Sequence, residues 1–354
     1  MKHNLYVIVF GILALILLVG ALSTIFFNGN TSISKTLLGN LPIYGPAPEI
    51  RGIAYWINSP PLNLSQLRGK VVLIDFWTYS CINCIRAIPY LNAWQGRYGS
   101  NGLVIIGVHT PEFQFETNYT NVKNAVQRFG IKYPVAMDSN YATWIAYNNH
   151  YWPSDYLIDK DGNVREIALG EGGYNTTESN IRLLLRQAGY NVSNTTTSVN
   201  STVNFSRIGT PEIYLGYKTE RGPLGNKEGF SPGNVVFYSQ PNITQANLVY
   251  LSGSWLNAQD GIVSVNDSKM YLVYNAKSVN IVASGSNSTV TVKIDGKDLK
   301  QDYLGNDVTL VGGVATGTVG SPKLYNLISG PSYGQHELEI DSGPGLKVYT
   351  FTFG

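Results

Sequence analysis

Val71-Val72-Leu73-Ile74-Asp75-Phe76-Trp77-Thr78-Tyr79-Ser80-Cys81-Ile82-Asn83-Cys84 is the stretch on which the fold of this chain turns. Its first half is a near-continuous apolar run, as expected for a strand buried on both faces. Its second half ends in two cysteines separated by two residues, and helical spacing runs from Ile82 to Trp94. A strand feeding straight into a helix puts the first cysteine at a helix N-terminus. There, unpaired backbone N–H groups and the positive end of the dipole favour thiolate over thiol. In such motifs the reactive cysteine titrates anywhere from about 3.5 to 7.5, instead of about 8.5 for a free one. Cys81 and Cys84 are the only cysteines in the 354 residues. A disulfide between them closes almost no loop and removes little unfolded-state entropy, so it makes a poor staple. It makes good sense as a redox couple.

The rest of the chain sets the surroundings. Its length exceeds one typical domain, and two are expected. A formal charge of +2 gives no electrostatic footprint for nucleic acid, and that class of partner is excluded. From Leu5 to Phe27 no residue is charged, enough for about 35 Å of helix. Lys2 and the terminal amine precede it, so the positive-inside tendency places the N-terminus in the cytoplasm and the remainder outside a single-pass membrane anchor. Val19-Gly20-Ala21 offers a signal-peptide cleavage site as the alternative, but the apolar run continues past it, which favours an uncleaved anchor. Asn-x-Ser/Thr triplets recur from Asn30 to Asn287, with none earlier, and their density suggests a glycosylated outer surface.

Five segments follow from the pattern: an anchor over 1–27, a polar spacer over 28–45, an alternating α/β domain over 46–190, a linker over 191–204 and a β-sandwich over 205–354. In the α/β domain, Leu103–His109 reads as a second buried strand, and Thr120–Phe129, Tyr141–Tyr147 and Glu178–Ala188 read as helices. Tyr156–Ile158 and Val164–Ala168 flank Asp161-Gly162 as a hairpin. The linker is almost all Asn, Ser, Thr and Val. Beyond it come short Val/Tyr/Leu/Thr-rich runs broken by Gly, Asn, Ser and Pro: Leu248–Leu251, Ile262–Val265, Met270–Tyr274, Val279–Ser284, Thr289–Ile294, Val308–Val311, Lys323–Leu327, His336–Ile340 and Leu346–Phe353.

Asp75-Phe76-Trp77-x-x-x-Cys81-x-x-Cys84, with Pro89 five residues on, resembles the thioredoxin superfamily. Leu64-Ser65-Gln66-Leu67-Arg68-Gly69-Lys70 and Tyr151-Trp152-Pro153-Ser154-Asp155-Tyr156-Leu157-Ile158-Asp159 look like the TlpA/DsbE-like, membrane-anchored proteins of cytochrome c maturation, the latter matching their cis-proline segment. A closer resemblance is to the extracytoplasmic part of mycobacterial-type DipZ proteins. It is carried by Trp77 to Cys84, by Val108-His109-Thr110-Pro111-Glu112-Phe113, by Gly209 to Tyr217 and by Leu346–Gly354. That part joins a thioredoxin-like domain to a carbohydrate-binding-module-like, jelly-roll β-sandwich. The family's multi-span electron-transfer domain gives way here to one helix, so reduction from the cytoplasm calls for a separate membrane donor of CcdA/DsbD type.

The resemblance implies roles. Cys81 is the expected nucleophile and Cys84 the resolving thiol. Asp75 falls where the family buries an acid beneath the second cysteine, to take or return the proton Cys84 must lose. Pro153, with a cis bond implied by the family, is expected opposite the disulfide beside a groove for extended substrate. Glu112 reads either as a second proton-handling acid or as a solvated loop carboxylate. No separate cofactor and no metal is called for, since the redox group is the Cys81–Cys84 disulfide itself. Competing readings are an exported copper-delivery protein using the cysteine pair with His109 or His150, and a surface glycan-binding module with a secondary redox domain. The latter would use Tyr217, Tyr238, Tyr250, Trp255, Tyr271, Tyr274, Tyr325 and Tyr333, although aromatics of a β-sandwich mostly face its core. Thr78-x-x-Cys81 echoes a peroxidatic motif, which Ile74 weakens by standing where a proline is wanted. The expectation is a thiol–disulfide oxidoreductase that reduces disulfides in exported proteins, in cytochrome c maturation or in repair of exported thiols.

Overall fold

Seven consecutive buried residues, Val71–Trp77, form the strand β3 at the centre of a seven-stranded sheet. The computed structural model describes residues 41–199, 203–219, 223–242 and 244–354. The expected anchor over 1–27, most of the spacer and Asn200 to Thr202 of the linker lie outside the described residues. Among the described residues no helix is long and apolar enough to cross a membrane.

The first sheet is built from β1 (Gly45–Pro46), β2 (Tyr55–Ile57), β3, β4 (Leu103–His109), β5 (Val135–Met137), β6 (Ser154–Ile158) and β7 (Asn163–Leu169), in the order β1-β7-β6-β3-β4-β5-β2. β3, β4 and β5 run parallel, while β6 and β7 are antiparallel to their neighbours. β3 has a partner on each edge and packing on each face, which is why its sequence shows no alternation. Val72, Ile74 and Phe76 enter one core with Trp144, Tyr147 and Tyr156. Phe76 meets those three rings edge-on at 5.4–5.7 Å between centroids. Alternation then sends Leu73, Asp75 and Trp77 to the opposite face.

That face is covered by the helix α1 (Ile82–Tyr98), which buries Cys84, Ala87, Ile88, Leu91, Trp94 and Tyr98 at helical spacing and runs one turn past Trp94, where the sequence reading ends it. The helices α2 (Tyr119–Arg128), α3 (Ala142–Ala146) and α4 (Tyr174–Gln187) complete the unit. The spacer differs at its end from the expectation: Tyr44 donates its N–H to the Val164 carbonyl at 2.9 Å and Gly45 pairs with Val164, so the sheet begins there. The linker also differs, since Thr197 bonds Glu178 through both its N–H (2.8 Å) and its hydroxyl (3.1 Å).

The β-rich region forms one hydrogen-bonded, eleven-stranded sheet. Its strands are β8 (Ile213–Tyr214), β9 (Val235–Tyr238), β10 (Val249–Asn257), β11 (Ile262–Ser264), β12 (Ser268–Ser284), β13 (Ser288–Ile294), β14 (Lys297–Asp298), β15 (Val308–Val311), β16 (Val314–Val319), β17 (Lys323–Ser342) and β18 (Lys347–Phe353). Two pairs of short strands expected from sequence are in fact the long strands β12 and β17. These pair with each other through irregularities between Ala276 and Ser278 and between Val279 and Asn280. Such a bulge bends a strand without ending its pairing. β12 accordingly takes β10 as its second partner in its first half and β18 in its last. The curled sheet encloses one core in which Trp255, Tyr238 and Tyr274 are almost wholly buried. Tyr250, Tyr271 and Tyr325 are buried too, whereas Tyr217 and Tyr333 are half-buried.

Residues 43–354 belong to one compact unit. The two regions meet through a small apolar cluster, with Phe113 on one side and Tyr214, Val282 and Tyr349 on the other. Phe113→Ala is expected to cost about 3 kcal/mol at this junction. Calorimetry should show a lower or split transition, and an endotherm identical to wild type would mean that the cluster does not couple the regions.

Candidate active site

The turn between β3 and α1 sets two sulfurs at different depths. Cys81 caps α1, its Sγ accepting the Cys84 N–H at 3.3 Å, and is half-buried. Cys84, inside the first helical turn, is 1% exposed. Both are free thiols. Burial pushes the Cys84 thiol well above its ordinary range; the neighbouring Cys81 sulfur and the Asp75 charge push the same way, while the Thr78 backbone opposes them. Pro89 stands inside α1 and, lacking an N–H, gives the Ile85 carbonyl no helical donor.

Asp75 is 1% exposed, and neither carboxylate oxygen makes a hydrogen bond among the described residues. Burial first, and the charge of Asp155 second, hold its carboxyl well above the usual range. Asp155 is its direct cross-strand partner on β6. Burial and then the Glu166 charge push Asp155 up to about 7. Tyr133 completes the cluster: it is 1% exposed, its hydroxyl has no partner among the described residues, and burial together with Asp75, Asp155 and Cys84 opposes its ionisation. Behind Cys84 there is thus a protected group of two carboxyls and a phenol able to hold a proton.

The Trp152–Pro153 peptide bond is cis. Tyr151 and Trp152 line a cleft of about 230 Å³ together with Cys81, and the Trp152 Nε1–H donates to the Thr110 carbonyl at 3.1 Å. Glu112 lines the same cleft rather than the Cys84 side, its Oε1 accepting the Tyr214 hydroxyl at 2.5 Å. The far wall comes from the β-rich region: Glu212, Tyr214, Val282, Thr350 and Thr352. Residues flanking the thiols reach into that region as well. The Tyr79 hydroxyl donates to the Pro322 carbonyl at 3.1 Å, and Arg86 donates to the Phe353 carbonyl at 2.8 Å.

Sequence reading passes over three of these groups. Glu116, fully buried, accepts the Ser80 hydroxyl at 2.5 Å and the Glu112 and Phe113 amides at 2.6 and 2.9 Å, tying the thiol turn to the following loop. Asp155 and Tyr133 are the others. Asp155 stands two residues past Pro153, a proximity that offered a signal; nothing local marks Glu116 or Tyr133. Of the two histidines weighed for copper, His109 lies buried with Nε2 3.4 Å from the Thr78 hydroxyl, and burial lowers its pKa to about 3. His150 lines the Cys81 cleft. Among the described residues no three His, Cys, Asp or Glu converge as metal ligands.

Known proteins divide along the same line. The family model described as Redoxin matches residues 47–185, and the one described as Thioredoxin like C-terminal domain matches 210–354. Protein DipZ of Mycobacterium tuberculosis is 41% identical over 319 residues, covering 88% of this chain and 43% of DipZ. The chain therefore spans less than half the length of that relative. Thiol-disulfide oxidoreductase ResA of Bacillus thuringiensis is 30% identical over 48% of this chain and 91% of its own length. YkuV of Bacillus subtilis, also a thiol-disulfide oxidoreductase, is 29% identical over 40% of this chain and 95% of its own. A solved thioredoxin-like protein in the oxidised form aligns at 30% identity, with 40% of this chain, 96% of that chain and a TM-score of 0.38.

The raised Asp155 carboxyl has a consequence for stability. Between its unfolded pKa near 4 and its folded value of about 7, the folded chain binds the extra proton. Its ionisation therefore drains stability as pH rises through that window. Denaturant titrations across it should show a flatter slope for Asp155→Asn than for wild type, and equal slopes would count against the buried pair.

Proposed function

This chain belongs to the thioredoxin superfamily, among its thiol–disulfide oxidoreductases, and from that premise we propose that it reduces disulfides in exported proteins through the Cys81–Cys84 couple. The observation that carries the reading is the unequal depth of the two sulfurs over a buried acid. Cys81 is reachable from the cleft, Cys84 is not, and Asp75 lies behind Cys84.

The steps follow from that arrangement. The Cys81 thiolate attacks one sulfur of a substrate disulfide; the substrate S–S bond breaks, its other sulfur leaves and takes up a proton, and a mixed disulfide joins Cys81 to the substrate. Cys84 then gives its proton to Asp75 and attacks the Cys81 sulfur, expelling the second substrate thiolate. The substrate gains two electrons and two protons in all, and Cys81 and Cys84 are left as a disulfide. A carboxyl held above its usual range suits this exchange, because it accepts a proton from a thiol that burial also makes reluctant to ionise. Asp155, sharing charge with Asp75, helps keep that proton inside. Pro153 is buried next to Trp152, which lines the groove, and Glu112 belongs to its substrate side.

In this reading the uncharged stretch from Leu5 to Phe27 anchors the protein in the cell membrane with its bulk outside, and the surface sequons carry glycans. Cytochrome c maturation is the process it fits, and a separate membrane donor of CcdA/DsbD type returns the two electrons consumed in each cycle. A glycan contact of the β-rich region would fall to its surface groups, among them the exposed Phe237 and the half-buried Tyr217 and Tyr333.

Cys81→Ser is expected to abolish insulin disulfide reduction, and activity retained by that variant would refute the mechanism. Asp75→Asn should slow resolution of the mixed disulfide by about 10- to 100-fold, so that it accumulates in acid-quenched samples. The direction rests on the potential of the couple: a value near about −270 mV fits a reductant, whereas one near about −120 mV would overturn that direction.

A further inference from the structure

The Cys81 sulfur does not look out onto open solvent; it faces a cleft whose far wall is the β-rich region. Two properties of that wall bear on what can enter.

The first is charge. Glu112 and Glu212 line the cleft, and among the described residues no lysine or arginine does. Both carboxylates meet the Tyr214 hydroxyl, Glu112 Oε1 at 2.5 Å and Glu212 Oε2 at 3.3 Å. Glu212 Oε1 also accepts the Asn83 side-chain amide at 3.5 Å. Arg86, five residues from Cys81, stands behind the lining: it pairs with Glu171 at 3.0 Å and donates to the Phe353 carbonyl at 2.8 Å and to the Asn83 side-chain oxygen at 3.4 Å. The adjoining cavity beyond Glu112 is lined by Lys218 and by Asp260, which pairs with Lys347 at 2.6 Å.

The second is an unanswered hydroxyl. Thr352, on β18, is 3% exposed and lines the cleft, yet its Oγ1 has no hydrogen-bond partner among the described residues. Its neighbour Thr350 is satisfied by the Ile213 carbonyl at 2.9 Å. A buried hydroxyl without a partner is costly unless something entering the site meets it. The main chain of an extended peptide offers both an acceptor and a donor at each residue.

We propose that the β-rich region completes the substrate groove of Cys81, with Thr352 taking the peptide main chain and Glu112 and Glu212 selecting substrates that carry lysine or arginine beside their disulfide. The proposal rests on the oxidoreductase reading above and adds the substrate class. In a partly enclosed cleft two carboxylates attract a cation more strongly than at an open surface and repel an acidic flank. Their effect is on which peptide docks, and the exchange chemistry remains with the two thiols.

Two synthetic peptides test it, each closed by a single intramolecular disulfide and differing only in arginine or glutamate flanks. The full chain, purified in detergent and reduced, is assayed at pH 8, where imidazoles of ordinary pKa are neutral. The expected kcat/KM is roughly tenfold higher for the arginine peptide at low salt, with the ratio shrinking at high salt. Glu212→Gln should narrow the ratio and Glu212→Lys should narrow it further or invert it. Equal values in wild type, or a ratio unmoved in both variants, would overturn the proposal. Failure to reduce either peptide would instead sink the oxidoreductase reading beneath it.

Discussion

Two sulfurs three residues apart sit at very different depths, and most of this structure can be understood as what holds them there. The constraint begins in β3. A strand buried on both faces and paired on both edges cannot shift its register without driving apolar side chains out of two cores. Its end at Trp77 therefore fixes where the chain must turn. The turn closes with Cys81 as the cap of α1, its sulfur taking the Cys84 amide, and the first helical turn carries Cys84 down against the sheet. Glu116 secures the turn from the side through Ser80.

The same strand imports the acid. Because β3 alternates, the face opposite Phe76 brings Asp75 under the helix that carries Cys84, where its carboxyl is buried and meets no hydrogen-bond donor among the described residues. Such a group would be a plain liability in a core. Next to a thiol that must lose a proton only when a mixed disulfide forms, its reluctance to ionise becomes useful. Asp155 deepens this, since two carboxyls facing each other in a dry site do not both ionise readily.

The β-rich region enters the same argument. It is joined to the first region at the thiol turn itself, through Tyr79, Arg86, Phe113 and Glu112. A covering placed there narrows access to Cys81 and lends the cleft side chains that the first region lacks. Its own architecture follows from two strands long enough to change partners midway, so that one sheet curls around one core.

Local sequence determined a good deal. The bounds of β3 and β4, the helix after the thiols and the Asp-Gly hairpin were legible because hydrophobic periodicity, turn chemistry and capping act over a few residues. The likeness of the thiol motif to thioredoxins was legible because such motifs are short and contiguous. What escaped depends on contacts between distant segments. Asn275 to Ser278 and Ile328 to Gln335 read as breaks, since a bulge and a loop share their composition; pairing with the other long strand is what keeps both continuous. Asp155 looks like any polar residue after a proline until β6 is laid against β3 and puts it opposite Asp75. Glu212, Tyr214 and Thr352 give no sign of belonging beside Cys81. The sequence alone specified which residues can do redox chemistry, because that is written in residue type and spacing. Tertiary structure decided how deep each one lies, which carboxyl faces which, and what walls the cleft, because depth and adjacency arise only when remote strands pair.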